Sequence, residues 1–220
     1  MMEIHASTVM EAWRRAIKEI LERGQIAKDE DGRECREVLN LNVTVEQPDS
    51  GAEAVRMLRS TRAWVYPNEE ELTNVVLHKE ASPIYDYMYG QRLFDFDGTL
   101  NQIDDYVIPL LQQRPNSRRA VAALYNPLRD MRLDKQHFPS FALVSFRVVE
   151  QRLVVTTVFR SSEFLSGWPA NLFQVAKLQE HVARALGLPR GPITTTSLSG
   201  HLHLENLETV EALLGKETKR

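Results

Sequence analysis

Two β-branched, aromatic-rich runs, residues 141–149 and 153–159, are separated only by Glu150, Gln151 and Arg152. Three residues cannot carry a parallel crossover, so the runs are predicted to pair as an antiparallel hairpin. Beyond Pro169, Leu172, Val175, Ala176, Leu178, Val182, Ala185 and Leu186 recur at helical spacing, and Gly187 with Pro189 closes the pattern. A hairpin followed by a long amphipathic helix already excludes a pure helical bundle.

The flanking sequence adds elements of both kinds. Residues 6–24 read as one amphipathic helix, with Ser7 or Thr8 as cap, Val9, Trp13, Ile17, Ile20 and Leu21 on one face and Gly24 at its end. Residues 28–36 are charged and turn-like and deliver Arg33 and Arg36 beside a strand over 38–45, which Pro48 stops. Residues 49–82 have no secure pattern, although the acidic run Glu69-Glu70-Glu71 suits a helix N-terminus. A helix over 103–114 must kink or break at Pro109. Residues 120–125 form a buried strand, 193–198 another, and a last helix covers about 207–214. The predicted class is α+β with a mostly antiparallel or mixed sheet and flanking helices, in a single domain spanning 1–220.

At 220 residues such a domain buries roughly 70% of its unfolded surface without staples. One cysteine makes no internal disulfide, no run reaches a membrane span, and no secretory signal opens the chain, so a cytoplasmic protein is expected. A net charge of -3 argues against a nucleic-acid coat, yet arginines converging locally still allow a small anionic ligand. Candidates are Arg33 and Arg36, Arg118 and Arg119, and Arg160, which Ser161 and Ser162 follow at a strand end. Guanidinium forks backed by hydroxyls suit a phosphate. His201 and His203 alternate about Leu202 and share a strand face, but no acidic or thiol ligands accompany them, so no metal is expected.

In order and spacing these pieces resemble a family. Tyr89-Gly90-Gln91-Arg92-Leu93, Asn101-Gln102-Ile103-Asp104 and Pro115-Asn116-Ser117-Arg118-Arg119 look like the middle of thymidylate synthase. Residues 160–171, with Arg160-Ser161, Glu163, Gly167, Pro169 and Asn171, are similar to the family's R-S-x-D-x-x-x-G-x-P-x-N signature, and residues 199–203 to its G-D-x-H-x-Y segment. The resemblance runs from about residue 85 to 215. The short length and divergent first 80 residues are closest to compact archaeal-type members and the pyrimidine nucleotide hydroxymethylases.

The resemblance implies a thymidylate synthase-like fold in a homodimer packed through its sheets. It implies transfer of a methyl or hydroxymethyl group from 5,10-methylenetetrahydrofolate, or a methanopterin analogue, to C5 of a uracil nucleotide, dUMP foremost. UMP, CMP or dCMP hydroxymethylation, or nucleotide binding without turnover, are its alternatives. Arg160 and Ser161 would hold the 5′-phosphate, Arg118 and Arg119 would reach it from the partner subunit, and Arg33 would approach it from the N-terminal loop. Asn171 would read the pyrimidine edge, where an amide complements uracil. His201 would bond the sugar 3′-hydroxyl, His203 stands where the family has Tyr, Glu163 replaces the Asp that contacts the pterin, and Tyr89 would assist proton transfer at C5.

One position departs decisively. Pro139-Ser140-Phe141 is in register with the family's Pro-Cys-His, so Ser140 occupies the place of the nucleophile. Serine needs a general base, for which His137 is the candidate. Cys35, the single thiol, lies between Arg33 and Arg36, where a lowered pKa would make it a relocated nucleophile. The polar tail, residues 216–220, differs from the small apolar segment that closes long-form enzymes, which favours capture of the intermediate by water.

Overall fold

The computed structural model describes residues 2–60, 67–80, 87–134 and 138–215. In chain order the elements are β1 (Met2–Thr8), α1 (Val9–Arg23), β2 (Gln25–Lys28), β3 (Glu34–Gln47), α2 (Gly51–Arg59), α3 (Glu69–Leu77), α4 (Tyr89–Phe94), α5 (Ile108–Gln113), β4 (Val121–Ala123), α6 (Pro127–Asp130), β5 (Phe141–Val149), β6 (Arg152–Phe159), β7 (Ser162–Glu163), α7 (Gly167–Leu186), β8 (Arg190–His203) and α8 (Leu207–Gly215). The strands form one mixed sheet, ordered β1-β3-β8-β6-β5-β4, with β2 on β3 and β7 on β8. The pairs β1–β3, β6–β8 and β7–β8 are parallel and the others antiparallel. The fold is therefore α+β with a mixed, mostly antiparallel sheet, as expected.

Several boundaries differ from the sequence reading. Residues 6–8 belong to a strand rather than to the helix: over residues 2–8 Ile4 and Ala6 are buried, Glu3, His5 and Ser7 are exposed, and the segment pairs with β3. The helix begins only at Val9, where Thr8 accepts from the Glu11 N–H as cap. Residues 103–107 form a π-helical turn running into α5, so Pro109 sits at the first turn of α5, where a missing N–H costs little. Strand β8 runs unbroken from Arg190 to His203. Asn68 and Glu71 make a reciprocal capping box at α3, which places the acidic run at a helix start. Residues 63–66, His137 and the 216–220 tail lie outside the described residues.

Helices α1 and α7 cover one face of the sheet, and α2 and α3 pack outside α7. Trp13, Trp168, Phe141, Phe146, Phe159 and Phe164 are all fully buried between these layers. Both indoles find acceptors there: Trp13 Nε1 donates to the Phe164 carbonyl and Trp168 Nε1 to Thr195 Oγ1 at 3.0 Å. On the other face Asn42, Thr44, Val154, Thr156, Thr194 and Thr196 stay half-buried or exposed.

Near one end of the sheet the strands change which face they offer. Ser197 is buried on the helix side, yet three residues on, Gly200 is also on that side, because a Cβ there would meet Phe164 and Leu41 at 3.0 and 3.2 Å. Leu41 and Val38 both pack on the core, with Asn40 in the left-handed region (φ 57°) between them. Strand β5 slips register between Phe141 and Leu143. Strands β3 and β8 thus change face at opposed positions while their pairing stays in step, and β5 slips nearby; such irregularities re-aim the side chains that follow. As a result Ser199, His201, His203, Cys35 and Glu37 turn away from the core and line a cleft.

Candidate active site

The cleft encloses about 320 Å³ and is lined by residues from the β2–β3 hairpin, β8 and the chain leaving β6, among them Arg33, Cys35, Arg160, Ser161, His201 and His203. Ser161 Oγ lies 3.5 Å from His201 Nδ1, and the two imidazoles meet edge to face at 5.1 Å. Burial holds the His201 pKa below its ordinary value, against the carboxylates of Glu163, Glu37 and Asp29 and with help from His203. His201 is therefore neutral near pH 7 and keeps an acceptor. His203 is 7% exposed, and its Nδ1 has no hydrogen-bond partner among the described residues.

The arginines of the cleft differ in what already holds them. Arg33 is gripped at the hairpin tip: Asp29 accepts from its Nε at 2.8 Å and from its N–H at 2.8 Å, and Asp31 lies 3.8 Å away. Arg36 turns elsewhere, donating to the Gly24 carbonyl at 3.1 Å. Arg160 has no carboxylate partner among the described residues. Its guanidinium lies 4.2 Å over the Phe138 ring and donates through Nε and Nη2 to the Pro139 and Phe138 carbonyls, both at 3.4 Å. Arg118 and Arg119 are exposed just before β4, three strands across the sheet from β8, and do not line this cleft.

Beside Arg160 is a second cluster. The Arg160 N–H donates to the Ser140 carbonyl at 2.8 Å, fixing Ser140 at the head of β5. Ser140 Oγ is 3.1 Å from the Tyr89 hydroxyl, which in turn donates to Asn171 Oδ1 at 3.5 Å. Three residues far apart in sequence are brought together from α4, β5 and α7. Burial, reinforced by Tyr87, pushes the Tyr89 phenol far above its ordinary range, so it is a donor and never a base near neutrality. With its one proton given to Asn171, Ser140 must donate in the other bond. Among the described residues Tyr89 is the only hydrogen-bond partner of Ser140 Oγ, and none of them acts as a base on the serine.

One expectation needs revision. Cys35 does not have a lowered pKa: it is 5% exposed, and burial, then Glu37 and Asp29, raise the thiol against the opposing effect of Arg33. A buried neutral thiol is a poor nucleophile. The Glu163 carboxylate caps the start of α7, accepting from the N–H groups of Leu165, Ser166 and Gly167 and from Ser166 Oγ. Sequence reasoning missed Phe138, whose proximity to Ser140 is its only signal, and Glu37, which accepts from Ser199 Oγ in the cleft wall. Among the described residues no group of three or more His, Cys, Asp or Glu side chains could hold a metal ion.

Comparison with known proteins gives this geometry a context. The thymidylate synthase family model matches residues 50–220. A Methanosarcina barkeri protein named "Putative thymidylate synthase" is 36% identical over 96% of this chain and 94% of its own length. Proteins of the same name from Methanococcoides burtonii and Methanocaldococcus jannaschii are 34% and 29% identical, over 96% and 93% of this chain and 94% and 92% of their own lengths. The family model takes in the Tyr89–Ser140–Asn171 contact and the Arg160, Ser161, His201 and His203 side of the cleft, though not its β2–β3 hairpin wall, and the chain belongs to the thymidylate synthase family.

Proposed function

We propose that this chain binds a uracil nucleoside monophosphate, dUMP foremost, and transfers to its C5 a one-carbon unit from a folate-type donor. The observation that carries this reading is the single bond joining the two clusters: Arg160 lines the anion cleft while its N–H holds the Ser140 carbonyl, at 2.8 Å. A phosphate held by Arg160 and Ser161 brings the base toward Tyr89, Ser140 and Asn171. A dianion has more acceptor sites than one guanidinium satisfies, and Arg118 and Arg119 of the partner subunit complete it in a homodimer packed through the half-exposed sheet face. His201 and His203 face the sugar. Asn171 Nδ2, without a partner among the described residues, donates to the pyrimidine O4.

The donor, 5,10-methylenetetrahydrofolate or a methanopterin analogue, supplies the one-carbon unit. Glu163 is compatible with it: three of its four bonds fall on Oε2, leaving Oε1 one further acceptor site for a pterin N–H. Tyr89 stays protonated, accepting from Ser140 and donating to Asn171, and orients water beside C5. A lone buried thiol without a disulfide suits a reducing, cytoplasmic setting, and no described helix is long and apolar enough to cross a membrane.

A second reading, binding without turnover, draws support from Ser140 itself, which lacks a thiolate's nucleophilicity and, among the described residues, a neighbouring base. Release of tritium from C5-labelled dUMP, UMP and CMP separates the two, measured with donor for the native chain and for Ser140→Cys. The transferase reading expects release from dUMP, faster in Ser140→Cys. If both proteins bind dUMP and neither releases tritium, the binding-only reading stands. Dihydropterin among the products identifies methyl transfer, since hydroxymethylation takes no hydride.

A further inference from the structure

Arg160 is set apart from the molecule's other well-held arginines by what holds it. Arg33, Arg92 and Arg190 are each paired with a carboxylate, at 2.8, 2.8 and 2.5 Å. Arg160 is held by an aromatic face and two carbonyl oxygens, none of which neutralises it. Of its five N–H donors, one on Nε and one on Nη2 are used. The three that remain lie in the guanidinium plane, on the fork that suits two phosphate oxygens. Phe138 is itself anchored, its ring edge to face with Tyr125 at 6.0 Å.

We propose that Phe138 is a positioning residue that presets the Arg160 fork for the nucleotide's phosphate. The inference rests on the nucleotide reading above and adds what makes that arginine selective for the phosphorylated ligand. A long side chain free to sample its rotamers loses that freedom on binding, whereas one already laid flat on a ring has little left to lose. The ring attracts the cation without competing for its in-plane donors, which a carboxylate at the same place would occupy. The same segment, residues 138–139, leads directly into Ser140, so the ring keeps anion capture in register with the reacting end of the site.

The test compares affinity for dUMP and UMP with that for deoxyuridine and uridine, by calorimetry, in the native chain, Phe138→Leu, Phe138→Tyr and Phe138→Trp. In Phe138→Leu, affinity for the monophosphates falls by about three- to tenfold while affinity for the nucleosides holds, and the aromatic variants recover it. The Arg160 Nε resonance of the ligand-free Leu variant loses its ring-current shift, which reports the contact directly even where folding is slightly loosened. Equal losses for nucleotide and nucleoside, unchanged monophosphate affinity, or no recovery with Tyr and Trp overturns the role of Phe138. A native chain that binds the monophosphates no better than the nucleosides overturns the nucleotide reading, and this inference with it.

Discussion

His201 ties the chemistry of the cleft to the stability of the chain. Its folded pKa lies below the ordinary imidazole value of 6.5, chiefly through burial. As pH falls through that value the unfolded chain takes up a proton that the folded chain resists, so the stabilisation is complete above about pH 6.5 and is lost below it. Denaturant midpoints measured at about pH 7.5 and 5.5 will drop for the native protein, and His201→Asn will flatten that part of the drop. Arg33, Arg160, Ser161, His201 and His203, which line the cleft, were singled out by residue type and by the family resemblance. What their neighbours do to them was not legible: Cys35 looks activated beside Arg33 and Arg36, yet burial and the acids opposite it win, because sequence adjacency says nothing about which side of the sheet a charge occupies. Phe138 was invisible for the same reason, since its partner Arg160 comes from another strand.

The elements carrying the site depend on close backbone approaches as much as on side chains. Gly90, in the first turn of α4, lies against the backbone of His78, and a Cβ built there would sit 2.0 Å from the His78 carbonyl oxygen. Gly90→Ala must push α4 off the end of α3, moving Tyr89 from Ser140, and should lower unfolding stability by about 3 kcal/mol. Gly187→Ala, where only the left-handed backbone (φ 66°) is at stake and nothing lies within 4 Å, should cost about 1 kcal/mol. Urea unfolding of the two variants measures the contrast. The β5–β6 hairpin and α7 were readable because their periodicities are long and clean. Strand β1 was not, because its alternation is only seven residues long and runs straight into a helix whose cap, Thr8, is also its last residue. The changes of face were hidden too, since the one between Ser197 and Gly200 leaves no mark in composition.

At the level of the whole molecule, the sheet's half-exposed face and the distance of Arg118 and Arg119 from the cleft belong to one expectation: two chains share each site. Arg160→Ala and the Arg118→Ala/Arg119→Ala double variant should each lose dUMP affinity as homodimers. Refolded together in equal amounts, they should recover high-affinity binding in about a quarter of the sites, because half the dimers are hybrids and each hybrid has one intact site. Titration of the mixture checks this, and a mixture that binds no better than its parents removes the shared site. The class of fold was legible from the alternation of strands and helices. The pairing of chains entered only through the family likeness, since no pattern in a single sequence distinguishes a face left to water from one awaiting a twin.

The left-handed step at Asn40 also bears on how such a chain can change over generations. Outward of it, Val38 packs on the core and Cys35 and Glu37 face the cleft, and this order hangs on one left-handed residue. Deleting Asn40 would give Val38 and Leu41 the even spacing of a regular strand, yet it would slip the outer half of β3 by one residue against β8, whose own change of face between Ser197 and Gly200 would then stand unmatched. Swaps of residue type are tolerable along this stretch, whereas a gain or loss of length is not, so drift among relatives should conserve the spacing between positions 35 and 41 even where the letters differ.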